Sequence, residues 1–276
     1  LELDDIYRPQ GPSGWLTLQH QAGLMVAEPS PESLYFSGRL HSLLHVDDVE
    51  RVRALQSLAE GAMPHEPLAQ CLAYQIDADR TRVGSAAAFM VRLRQEPAAC
   101  QELQQLAALL ELRARALPAL PGLEDTPLRL HARYAMREIL TAVGWLTAEK
   151  RTPATSGVLP ITGRRTELLF VTLDKSQGFN DRTAYRDHAI DPGHFHWQSQ
   201  NSARRDRGAG QRYLDAPGNG WQFQLFVRER PGNAYAACGP VRLVSAEGDK
   251  PISIVWQLAS PLPARLFSSF SVLRGA

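Results

Sequence analysis

The sequence predicts an α+β chain: a helical half over residues 1–156, then a mostly antiparallel β-barrel or sandwich over 157–276. Three observations carry this. The spacing of apolar residues changes from a period near 3.6 to a period of 2 beyond residue 157. The stretch 150–157, KRTPATSG, is crowded with turn formers and is the best boundary. The apolar runs after it are separated by Gly- and Pro-rich turns, mostly without the helix-length crossovers that parallel pairing needs.

Within the first half, Asp47 is placed to cap a helix, with Glu50 completing a capping-box-like pair. Val49, Val52, Leu55 and Ala59 fall on one face, and Gly61 suits the C-terminal cap. A second helix is expected over 85–96, carrying Phe89, Met90 and Leu93. Pro97 ends it and opens the next helix, which runs to about residue 117 with Leu103, Leu106 and Leu110. Residues 117–127, LPALPGLEDTP, read as a loop. A further helix is expected over 128–146, with Ala132, Met136, Ile139, Val143 and Leu146 on one stripe. Such stripes are core packing.

Beyond residue 157, ELLFVTL (167–173) is a β-rich run. Trp221, Phe223, Leu225 and Val227 alternate with Gln222, Gln224, Phe226 and Arg228. Ile252, Ile254, Trp256 and Leu258 alternate with Ser253, Val255 and Gln257. Both are half-buried strands. Residues 241–245 suggest another, and no internal repeat is visible.

Composition narrows the function classes. Of 276 residues, 44% are hydrophobic and 21% charged, so a core can form and wholesale disorder is excluded. No apolar run approaches the roughly 18 residues of a membrane span. The N-terminus, LELDDIYRPQ, lacks the pattern of a signal peptide and an initiator Met, so a piece of a longer protein is expected. Cys71, Cys100 and Cys238 match no metal or disulfide spacing, which suits a reducing cytoplasm. The formal charge of +1 hides an asymmetry. Residues 1–156 hold 15 Lys/Arg against 19 Asp/Glu, a net of −4, whereas 157–276 hold 15 against 10, a net of +5. A basic half is the electrostatic footprint of a polyanion partner.

The common catalytic words are missing. There is no GxxxxGK[ST] phosphate loop, no GxSxG elbow and no HExxH pair. HFH (194–196) with His188 or Cys238 leaves a metal set incomplete. Asp187, Asp191 and Glu229, with AEGDK (246–250), have the wrong spacing for a nuclease cluster and read better as solvated turns. No metal, cofactor or catalytic set is therefore assigned to this chain.

Residues 194–213 stand out: HFHWQSQNSARRDRGAGQRY. Aromatic and amide side chains come first, then a basic, glycine-containing loop. Arg204, Arg205 and Arg207 could neutralise phosphates and release counterions. Gln198, Gln200 and Asn201 could pair with a base edge. Trp197, His196 and Tyr213 offer faces for a base to stack on. The competing reading is a strand entering a solvated loop, with Phe195 and Trp197 in the core and the arginines merely exposed. Composition by itself favours this competing reading.

Several words here carry a family resemblance. They are TELLFVTLDKS (166–176), FHWQSQNS (195–202), GQRYL (210–214), LFVRER (225–230), GPVRLVS (239–245) and EGDKPISIVWQL (247–258). In this order they resemble the C-terminal domain of unknown function of bacterial superfamily-two helicases, in which a phospholipase-D-type nuclease and a DEAD/DEAH motor come first. The helical half is similar to the region preceding that domain, at LHSLLHVDDVERV (40–52) and YAMREILTAVG (134–144).

The resemblance implies more than the residues do. Some members are type IV restriction enzymes that attack DNA carrying modified cytosine, and their C-terminal part is a target-recognition domain similar to the base-flipping SRA (PUA-like) fold. Carried over, it implies base or DNA contacts at Lys175, Ser176, Tyr185, His196, Trp197, Gln198, Ser199, Gln200, Asn201, Arg212 and Tyr213. Arg204, Arg205 and Arg207 would add phosphate contacts, although the family is Ser/Pro-rich at that point and this chain reads SARRDRG. The implied partners are double-stranded DNA, methylated or not, and the parent protein's helicase and nuclease domains. ATP and Mg²⁺ would serve that motor in a bacterial cytoplasm.

Three readings follow. A modified-base reader predicts an aromatic-lined pocket including Trp197 or Tyr213. A sequence-tolerant backbone clamp predicts a steep salt slope without preference for modification. A protein-interaction module predicts dimers and no DNA binding.

Overall fold

A computed structural model describes residues 2–25, 27–77, 84–150, 156–174, 187–216 and 218–271. Contacts divide the chain into two compact units, Leu1–Pro118 with Ala132–Pro153, and Ala119–His131 with Ala154–Ala276. Among the described residues no helix is long and apolar enough to cross a membrane.

The first unit is helical. Its elements are α1 (Leu3–Ile6), α2 (Trp15–Gln21), α3 (Pro31–Arg39), α4 (Val49–Ala59), α5 (Glu66–Ile76), α6 (Ala86–Arg94), α7 (Pro97–Glu111), the two-residue strand β1 (Arg133–Tyr134) and α8 (Met136–Ala142). Side-chain caps set three of these starts. Ser30 accepts from the Ser33 amide with Pro31 at the first position of α3, and Ser85 accepts from the Ala88 amide at α6. At α4 the cap is Asp48, one residue later than the spacing suggests, and it accepts from the Arg51 amide. Asp47 is drawn away because it takes Arg115 and the backbone amide of Arg133.

Two helices differ in length from expectation. α7 ends at Glu111, six residues short of 117. The helix expected over 128–146 shrinks to Met136–Ala142. His131 has φ +65° and Gly144 φ +74°, and both conformations interrupt a right-handed helix. The apolar stripe is still buried at Ala132, Ile139, Val143 and Leu146, contributed from loop as well as helix.

A buried ion network holds the first unit's helices. Arg51, 1% exposed, pairs through Nε with Asp48. Its Nη1 donates to Glu138 at 3.0 Å and its Nη2 to the Arg133 carbonyl at 2.6 Å. The guanidinium also lies 4.0 Å from the Tyr134 ring centroid. His45 pairs with the other Glu138 oxygen.

The second unit is built on β2 (Val158–Ile161), β3 (Thr166–Thr172), β4 (His188–Asp191), β5 (His194–Gln198), β6 (Gln222–Arg228), β7 (Tyr235–Glu247) and β8 (Ser253–Leu258), with α9 (Gly208–Leu214) and α10 (Ala264–Phe270). The described strands run β2-β3-β6-β7-β8-β5-β4. Every pairing along that path is antiparallel except β3 with β6. That parallel pair is possible because β4, β5 and α9 together form the long connection. Among the described residues no ladder joins β2 to β4, so the sheet is open rather than a closed barrel.

One core nonetheless gathers both ends of this sheet. Val158 and Leu169 from β2 and β3 pack with Ala189, Phe195 and Trp197 from β4 and β5. β3 is buried on both faces, which explains the apolar run LLFV (168–171) that follows Glu167. The residues 119–131 join this unit. Gln224 donates to the Pro121 carbonyl at 2.7 Å, and the His131 amide to the Ala237 carbonyl at 2.7 Å. Gly239 has φ +90°, and a Cβ there would lie 2.9 Å from the Leu130 side chain.

Candidate functional site

The nominated segment begins on β5, where alternation sorts its side chains. Phe195, Trp197 and Ser199 point inward, while His194, His196 and Gln198 lie on the opposite, half-buried face. Trp197 is 5% exposed and Tyr213 1%. Their rings meet edge to face at 5.3 Å. Trp256 lies 6.2 Å from Trp197, and Phe223 lies 5.7 Å from Tyr213 and stacks on Trp256 at 5.3 Å. Both Trp197 and Tyr213, expected to line an aromatic pocket, are core side chains in this structure. The physical reason is that GQRYL folds as α9 rather than as loop, and its Tyr213 faces inward.

The hydrophilic residues of the segment divide in two. Some tie strands together. His196 Nε2 lies 2.6 Å from Ser253 Oγ, and its ring sits 5.3 Å from His188, its register partner. The Gln198 amide donates to Asp187 at 2.8 Å. Ser199, fully buried, accepts from the Ile252 amide at 2.8 Å through its hydroxyl, so it staples β5 to β8.

The others surround a cleft of about 330 Å³, lined chiefly by Gln200, Ser202, Arg204, Arg207 and Ala209. Gln200 Nε2 donates to Ser156 Oγ at 2.8 Å, which holds that wall. Asn201 is exposed beside it. Arg204 and Arg207 pair across a tight antiparallel bridge, so the basic stretch is an ordered turn. Arg205 turns away from this cleft. Its amide donates to Asp249, and its guanidinium to the carbonyls of Ala246 and Gly248 at 3.4 and 3.1 Å.

Arg212 is also committed. Its Nε and Nη2 each lie 3.0 Å from Oε2 of Glu167, which is completely buried on β3. Tyr213 donates to Oε1 of the same carboxylate at 3.2 Å. Burial, then the charge of Glu167, pushes the Tyr213 hydroxyl far above its usual range, so it stays a donor. Trp221 lies beneath the Arg212 guanidinium, 5.1 Å away. Sequence reasoning did not nominate Glu167. Its signal is a single charge inside an apolar strand run, which demands a buried partner.

Lys175, Ser176 and Tyr185 lie outside the described residues. Among the described residues no group of three or more His, Cys, Asp or Glu is arranged to hold a metal ion. His194 instead pairs with Asp191 at 2.9 Å. A bond from the Gly193 amide, then one from His194, holds the Asp191 carboxyl below its usual range.

Comparison with known proteins gives two findings. A family model described as "Domain of unknown function (DUF3427)" matches residues 128–270. Among solved structures, one described as "DNA modification-dependent restriction endonuclease AspBHI" is similar to this chain. The identity is 14%, the TM-score is 0.33, and the match covers 56% of this chain and 90% of that one. No curated protein matches.

Proposed function

This chain belongs to the family described as domain of unknown function DUF3427, and for it we propose a DNA-recognition function, seated in the strand-rich unit. The observation that carries the reading is the cleft between Gln200 and the Arg204–Arg207 turn. Two guanidinium groups held on one ordered turn suit neighbouring phosphates, because each neutralised phosphate releases condensed counterions. A Gln amide on the facing wall suits a base edge. The cleft volume falls at the lower end of the ~300–1,000 Å³ typical of ligand sites.

The finer part of the proposal is modified-cytosine reading in duplex DNA, as the target-recognition region of an ATP-dependent helicase or nuclease. Such a parent would supply the motor with its ATP and Mg²⁺, and any catalysis. Discrimination would then rest on the shape and polar contacts of the cleft, since the rings of Trp197 and Tyr213 are occupied in the core. A buried methyl group contributes about 0.8 kcal/mol, roughly fourfold, so a larger preference requires shape selection or a differential flipping cost. The ordered arginine turn also favours a second reading, a clamp that holds DNA backbone without regard to modification.

One titration separates these. Matched duplexes with and without 5-methylcytosine are bound to the intact chain at several salt concentrations, alongside an Arg204→Ala/Arg207→Ala variant. Binding is expected to follow salt, with the slope of log K against log salt reduced by about 1.8 in the variant. A preference for the methylated duplex supports the reader, and equal affinities leave the clamp. Absence of binding to either duplex refutes both.

A further inference from the structure

We infer that Glu167 is a positioning residue for the arginine turn, acting through Arg212 and Tyr213 although it lines no part of the cleft. The inference rests on the cleft being the DNA-contacting surface.

Two rigid links make the connection. The first is the carboxylate of Glu167 on β3, gripped on one oxygen by Arg212 and on the other by Tyr213. Both donors belong to α9, so the helix is fixed in rotation as well as position. A carboxylate that is 0% exposed gains little from water, so the three groups hold each other strongly. The second link is Gly210. A Cβ at this position would lie 2.1 Å from the Arg204 carbonyl oxygen, so helix and turn touch backbone to backbone. The turn itself is closed by the Arg204–Arg207 bridge, and Ala209 at the start of α9 lines the cleft. Whatever displaces α9 on β3 therefore displaces the cleft wall.

The Tyr213 ring also packs α9 against Trp197 and Phe223, while two other nearby restraints act elsewhere. Arg205 anchors the turn to the β7–β8 connection through exposed backbone carbonyls, where hydrogen bonds exchange readily with water. Gln200 is held to Ser156 on the opposite wall. Neither fixes α9.

The experiment compares Glu167→Ala and Glu167→Gln in the intact chain. The amide of Gln keeps one acceptor oxygen, which serves Tyr213 or Arg212 but not both, so it is the partial variant. Hydrogen exchange is measured first and needs no DNA. Glu167→Ala is expected to raise exchange at residues 204–210 while leaving β6 and β7 protected, and Glu167→Gln to raise it there to a lesser degree. DNA binding is measured second. Glu167→Ala is expected to weaken it about tenfold and to reduce the salt slope by about as much as Arg204→Ala/Arg207→Ala, roughly 1.8. Combining all three substitutions is expected to add almost nothing to the double variant, because they remove the same contacts. General destabilisation would instead add to it.

Unchanged exchange at 204–210 in Glu167→Ala overturns the inference, as does full additivity of the combined variant. If Glu167→Ala fails to fold, the exchange of Glu167→Gln and Tyr213→Phe decides, since each loses only part of the grip. If the unaltered chain does not bind DNA, the functional reading falls, while the exchange result still decides whether Glu167 positions the turn.

Discussion

Trp197 and Tyr213 meet edge to face at 5.3 Å within the core of the strand-rich unit. Their sequence separation is filled by the arginine turn and the start of α9, so this contact closes the segment into a loop anchored at both ends. The rings hold the site together instead of offering themselves to a base.

That arrangement predicts a stability effect at both positions. Trp197→Ala is expected to lose about 3–5 kcal/mol, the usual range for removing a buried aromatic side chain. Tyr213→Phe keeps the ring and loses only the hydroxyl bond to a charged carboxylate, at about 1.5–3 kcal/mol. Urea unfolding measures both. A Trp197→Ala variant with unaltered stability and a selective loss of DNA binding would return Trp197 to the recognition surface.

Gly210→Ala tests the backbone contact between α9 and the turn. The added Cβ would meet the Arg204 carbonyl oxygen at 2.1 Å and the Ile252 side chain at 2.9 Å. Backbone cannot yield as a flexible side chain does, so a loss of about 1–3 kcal/mol is expected. The same substitution should lower the salt slope of DNA binding, because the turn moves with the helix. An alanine variant of ordinary stability and slope would contradict the close approach.

The helical unit has a pH signature at Glu138. Burial by itself raises this carboxyl, but the opposing fields of His45 and Arg51 prevail and hold it at about 2 against an ordinary 4.5. A depressed folded value means the stabilisation is fully present above pH 4.5 and is lost as the pH falls through 2. Glu138→Gln is expected to cost about 3–5 kcal/mol at neutral pH, since it leaves Arg51 buried and under-compensated. It should also flatten the acid loss between pH 4.5 and 2. Urea melts at neutral pH and at pH 3 test both, and an equally steep acid loss in the variant would count against Glu138.

The thiols are predicted to be sluggish. Burial pushes Cys71 and Cys238 well above the ordinary range, Cys238 to about 12, and it raises the half-buried Cys100 as well. Thiolate is the reactive form, so a disulfide reagent at pH 8 should modify the native chain slowly, at Cys100 first, and all three after unfolding. Rapid labelling of Cys238 would show that the sheet opens.

Much of the fold was legible along the chain. The change of period from 3.6 to 2, Ser85 before α6, Pro97 at the start of α7, and the alternation of β8 are local signals that the structure repeats, whereas β6, expected to be half-buried, is buried on both faces because the sheet neighbours and core enclose it. The words that carry the family resemblance also turn out to touch in pairs. TELLFV meets GQRYL through Glu167 with Arg212 and Tyr213. HWQSQN meets PISIVW through Ser199 and Ile252 and through His196 and Ser253. VDDVERV meets YAMREI through Arg51 and Glu138.

By itself, then, the sequence determined the class and much of the order of helices and strands, and nominated Gln200, Arg204 and Arg207 as polar and basic candidates, because propensity, period and charge are properties of neighbours along the chain. Tertiary structure alone decided the parallel pairing of β3 with β6, the open sheet and the fate of each polar or aromatic side chain. It placed the rings of Trp197 and Tyr213 in the core and paired Arg212 with Glu167. The reason is physical. An exposed ring and a buried one have the same sequence signature, and only a long-range partner, such as a carboxylate some 45 residues away, settles which of the two a side chain becomes.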